Sequence, residues 1–71
     1  METFSVVEIG AKKTRRTIES GLKDFASGAA ALEAHMARIK KEIAPGTKVR
    51  LALWSDEFNM AAMSATVTRK A

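Results

Sequence analysis

The sequence predicts a small α+β domain in which a short antiparallel sheet packs on one helix, in the order ββαββ. Three observations lead there. Segments near both ends alternate and are rich in β-branched residues, the middle is rich in helix formers with apolar residues at helical spacing, and Pro45-Gly46 separates the two regimes.

Thr3 to Ile9 is β-branched and aromatic, with Ser5, Val7 and Ile9 on one face and Phe4, Val6 and Glu8 on the other, which predicts a first strand. Gly10 breaks the run. Ala11-Lys12-Lys13 then makes a polar bend, and Thr14 to Ile18 returns as a second, solvent-facing edge strand. From Gly28 to Ile43 the chain reads as a helix with Ser27 as its N-cap. Leu32, Met36, Ile39 and Ile43 form one apolar stripe, while Glu33, Arg38, Lys40 and Lys41 take the other faces. Lys40 and Lys41 also suit the negative end of the helix dipole.

The stripe extends backward through Ala29, Phe25, Leu22 and Ile18, so a longer helix from about Thr17, and a βαββ order, competes with the second strand. That reading places Gly21 and Gly28 inside a helix, at about 1 kcal/mol each relative to Ala, and ββαββ is preferred for that reason. Lys48 to Trp54 alternates cleanly, with Val49, Leu51 and Leu53 opposed to Arg50, Ala52 and Trp54. Ser55 to Asn59 is a polar connection, with a short helix over Asp56 to Met63 as its alternative, and Ala62 to Arg69 alternates again to complete a C-terminal hairpin.

With 71 residues, a chain buries only about 60% of its unfolded surface, enough for one thin core, and residues 1–71 are expected to form one domain. The absence of cysteine excludes a disulfide framework and thiolate metal sites, and the lone His35 cannot supply a zinc shell by itself. Neither a metal nor another cofactor is expected. The opening Met1-Glu2-Thr3-Phe4 lacks the basic start of a secretion signal. The longest charge-free stretch, Phe58 to Thr68, is far short of the roughly 20 apolar residues of a spanning helix. A cytoplasmic protein without membrane contact is the expectation.

No catalytic residue emerges. His35 lacks a carboxylate beside it in sequence and does not belong to a His-Glu-x-x-His motif. The serines lack a nucleophile elbow, and Gly46-Thr47-Lys48 has phosphate-loop residue types in the wrong order. Two clusters remain as binding candidates. Trp54, Asp56, Glu57 and Phe58 set two large rings around two acids at a strand end, the composition of a protein-binding hot spot or of a closed core edge. Lys12, Lys13, Arg15 and Arg16 place four cations within five residues, suited to phosphates or to a solvated edge strand guarded against aggregation. Lys and Arg total 12 against 8 Asp and Glu, and the net charge of +4 favours acidic partners.

In outline, the chain resembles the small phage-encoded inhibitors of bacterial defence, the anti-CRISPR proteins among them: under a hundred residues, no cysteine, one helix against a small sheet, and no catalytic apparatus. Those proteins share no signature, so no residue role carries over. The resemblance implies inhibition by occupying the surface of a nucleoprotein complex or its nuclease. The expected function is thus non-enzymatic binding to a protein or nucleoprotein partner through Trp54, Asp56, Glu57 and Phe58. The alternative is a basic nucleic-acid-binding module using the Lys12 to Arg16 run, and self-association is compatible with both.

Overall fold

In the computed structural model, which describes residues 3–10 and 14–70, the elements run β1 (Phe4–Ile9), β2 (Arg15–Leu22), α1 (Phe25–Glu42), β3 (Lys48–Ser55) and β4 (Met60–Thr68). The four strands form one antiparallel sheet in the order β2-β1-β3-β4. The chain therefore has the ββαββ order and an α+β fold. The polar bend expected at 11–13, with Lys12 and Lys13, lies outside the described residues.

One face of the sheet carries the helix. Phe4 and Val6 from β1, Leu51 and Leu53 from β3, and Val67 from β4 meet Leu32 and Ile39 of α1 in a single core, with Met36, Ile43 and Val49 packed at its margin. The alternation read from β3 and β4 is preserved in the pairing, with Val49 opposite Val67, Leu51 opposite Ala65 and Leu53 opposite Met63.

The second strand is longer than expected and reaches Leu22, so residues 17–22 do not extend the helix. Gly21 sits at φ 77°, a left-handed conformation open to glycine at little cost and unsuited to a helix interior. Ile18 and Leu22 nevertheless pack on the core. Their spacing of four satisfies a helical period and a strand period alike, which is why the stripe continued through them in the sequence.

The helix begins three residues earlier than Ser27 and Gly28 suggested. Asp24, not Ser27, is the N-cap: its backbone is extended (φ −149°, ψ 172°), and its Oδ1 accepts the Ser27 N–H at 2.7 Å. Gly28 lies inside the helix and is buried, because the helix approaches the sheet there. A Cβ at this position would lie 2.8 Å from Leu53 Cδ1. At the other end Ile43 is the C-cap, and the Arg69 guanidinium reaches back to donate to the carbonyls of Ile43 (2.8 Å) and Lys41 (3.3 Å), satisfying helix acceptors that lack intrahelical partners. Strand β4 starts at Met60, two residues before the expected Ala62. The connection of 56–59 is a turn rather than a short helix, with Asn59 at φ 54°.

Candidate binding face of the sheet

The helix covers only one side of the sheet. The register places Ser5, Val7 and Ile9 of β1, Arg15 and Thr17 of β2, Arg50, Ala52 and Trp54 of β3, and Ser64 and Thr66 of β4 on the other side. Val7 and Ala52 are buried even here, since the register surrounds them with Arg15, Thr17 and Trp54.

The strand period divides the two arginines of the basic run. Arg16 points to the helix side, where its Nη2 donates to Glu8 Oε1 at 2.9 Å. Arg15 points to the open face and lays its guanidinium over the Trp54 ring, 3.9 Å from the centroid. Such a cation–π contact contributes roughly 0.5–1 kcal/mol at an exposed site. One residue from each candidate cluster thus meets on a single surface, whereas Arg15 and Arg16 lie on opposite faces. Arg50 lies opposite Ile9, which lies opposite Arg15, and Lys48 continues the same face at the far end of β3. Arg15, Arg50 and Lys48 form no ion pair among the described residues, while Arg16 and Arg38 on the helix side are both paired. The open face therefore carries three cations that no described acid pairs, with the Asp56 carboxylate at its edge.

The second cluster divides as well. Asp56 is committed within the chain: its carboxylate accepts from Thr3 Oγ1 (2.9 Å) and Ser5 Oγ (3.1 Å), and its N–H donates to the Thr3 carbonyl (3.0 Å). These bonds fix the β3–β4 turn against the start of β1. Phe58, at the tip of that turn, is 66% exposed. Glu57 beside it is exposed too. A recess of about 450 Å³ opens between the turn and the sheet, lined by Ser5, Arg15, Thr17, Trp54, Asp56 and Asn59.

Sequence reasoning missed Lys48 and Arg50 as members of this surface, although the alternation of β3 already put Arg50 on the face of Trp54. It also missed the partner of His35. Glu19 of β2, far away in sequence, brings Oε1 to 2.7 Å from His35 Nε2, and Arg38 Nη2 stands 3.0 Å from Nδ1. An arginine only donates, so Nδ1 accepts and Nε2 carries the hydrogen given to Glu19. Both ring nitrogens are occupied in a structural tie between β2 and the helix. Among the described residues no group of three His, Cys, Asp or Glu could hold a metal ion, and no helix is long and apolar enough to cross a membrane.

Compared with family models, known proteins and solved structures, the chain gives no match. The functional reading therefore rests on the chemistry of this surface.

Proposed function

We propose that the chain is a non-enzymatic binding domain that docks on an acidic protein surface through the helix-free face of its sheet. The observation that carries this reading is the Arg15–Trp54 stack on a face that also holds Arg50 and, at the far end of β3, Lys48, with no acid paired to any of the three cations among the described residues. Trp and Arg are the residue types that most often dominate protein interfaces, and a guanidinium held over a ring loses little further freedom on binding. Phe58 supplies an exposed apolar contact at the rim. A domain that binds without a reacting group acts by occlusion, and this is the mode of the phage-encoded inhibitors that the chain resembles in outline; a nucleoprotein defence complex such as CRISPR-Cas is a partner of that kind.

Affinity capture from a host lysate, repeated with variants, tests the proposal. Trp54→Ala and Arg15→Glu should each weaken capture by about 30-fold or more, the effect of losing a hot-spot side chain. Arg16→Glu, on the other side of the sheet, should leave capture intact. Equal losses for Arg15→Glu and Arg16→Glu in folded proteins would refute the face assignment.

A nucleic-acid partner is the second reading, favoured by three cations on one face that form no ion pair among the described residues. Against it, Trp54 is the one aromatic that the register places there, and Arg15 covers its ring, whereas single-strand platforms present successive free rings. Duplex binding that weakens steeply with salt, by a logarithmic slope of about 0.9 per phosphate, would support this second reading over the first.

A further inference from the structure

The two edges of the sheet are built differently. Edge strand β2 carries Arg15, Arg16 and Glu19, has a left-handed glycine at Gly21, and meets β1 with two register shifts. Charges and bulges of this kind protect an edge against pairing with another strand. Edge strand β4, Met60–Thr68, has none of the charges, and its sequence is Met-Ala-Ala-Met-Ser-Ala-Thr-Val-Thr. Its one irregularity against β3 falls where Ala61 faces Trp54 and Met63 faces Leu53, leaving the stretch from Met63 to Thr68 regular. Met60 and Met63 are 58% and 38% exposed.

We propose that β4 pairs antiparallel with β4 of a second copy of this chain, extending two four-stranded sheets into one of eight strands. Charge permits a second copy at this edge, and the self-complementary register favours it. A chain of net charge +4 repels its copy over most of its surface, and the stretch from Phe58 to Thr68 is its longest charge-free segment. Two copies meet there with no like charges opposed within the ladder.

The register follows from the faces. A two-fold axis perpendicular to the sheet keeps each residue on its own face, so paired positions must share parity. Centring the axis on Ala65 uses residues 63–67, pairs Met63 with Val67 of the copy on the helix side, and pairs Ser64 with Thr66 of the copy on the open side. It also sets each Met63 beside the groove that Met36, Ala37 and Lys40 form with Val67 of the copy. Both helices lie on one side of the joined sheet. The two Arg15–Trp54 faces lie together on the other, so the pairing leaves the proposed docking face free.

Because the chain has no cysteine, a single thiol reports the contact. Ala65→Cys should cross-link to its copy on mild oxidation, since directly opposed residues place their Cβ atoms about 4.5–5.5 Å apart. Glu33→Cys, on the exposed helix surface, should not. The parent should sediment with a concentration-dependent mass reaching twice the monomer's, and Met63→Lys should hold it at the monomer mass while circular dichroism stays unchanged. A parent that remains monomeric throughout the concentration series overturns the proposal and leaves the edge for a strand of another protein. So does a dimer in which Ala65→Cys links no faster than Glu33→Cys. Neither outcome bears on capture through Trp54.

Discussion

Gly28 lies directly against Leu53, close enough that a methyl group on the glycine would stand 2.8 Å from Leu53 Cδ1 and 3.0 Å from Cδ2. Leu53 is completely buried. Helix propensity favours Gly28→Ala by about 1 kcal/mol, while overpacking a tight core costs about 1–3 kcal/mol. Overpacking should win. Gly28→Ala is expected to lower stability in chemical denaturation, and Leu53→Val in the same chain should recover part of the loss. Stabilisation by Gly28→Ala alone would show that the helix can lift from the sheet at little cost.

The apolar stripe of the helix sets how much the domain can lose. Leu32 is 1% exposed and Ile39 8%, both in the core cluster that includes Leu51 and Leu53. Truncating either to alanine should cost about 2–5 kcal/mol, comparable with the whole stability of a domain this small. Lys40 follows Ile39 on the exposed side, and Lys40→Ala should change stability by no more than about 0.5 kcal/mol. Melting curves of the three variants against the parent decide this. Coincident curves for Ile39→Ala and Lys40→Ala would mean that the stripe is not core.

Patterns of period two and of helical period were legible wherever one face is buried: β1, β3, the body of the helix and the inward row of β4 all follow them. The start of the helix was not, since Asp24 and Ser27 are both good caps in isolation. The choice between them depends on Gly28 being needed inside the helix, where it meets Leu53. The candidate clusters were legible as residue types but not as a surface. The strand period separates Arg15 from Arg16, and strand order brings Arg15 of β2 across β1 to Trp54 of β3, a relation that no local spacing encodes. Glu19 escaped notice beside His35 for the same reason.

The cap at Asp24 makes part of the stability depend on acidity. The backbone N–H of Ser27, and after it the Ser27 hydroxyl, stabilise the charged carboxylate and lower the Asp24 pKa below its ordinary value. A carboxyl whose pKa is lower folded than unfolded stabilises the fold fully above the unfolded value, about 3.9, and loses that contribution as pH falls through the folded one. The deficit of Asp24→Ala relative to the parent should therefore be largest near neutrality and should shrink as the solution is acidified below about pH 4. Asp24→Asn, which keeps an accepting oxygen but no charge, should show a smaller deficit with the same trend. A deficit that is constant with pH would mean that the Ser27 bond does not discriminate between the two forms of the carboxyl.

His35 tests whether the only imidazole serves structure alone. Its Nε2 faces Glu19 at 2.7 Å and its Nδ1 accepts from Arg38, which in turn donates to Glu42 at 2.9 Å, so the ring links β2 to two successive turns of the helix. Glu19 and Arg38 are both close to half exposed, and solvent screening limits such a link to about 1 kcal/mol or less. His35→Ala should lower the melting temperature slightly and leave partner capture unchanged, since the ring sits on the helix side of the sheet and Trp54 on the other. A long-range nitrogen correlation spectrum of the parent should show the hydrogen on Nε2 and a bare Nδ1. A folded His35→Ala protein that keeps its melting temperature but loses capture would give the imidazole a direct part in function, and a hydrogen on Nδ1 would break the chain of donors that ties it to Arg38.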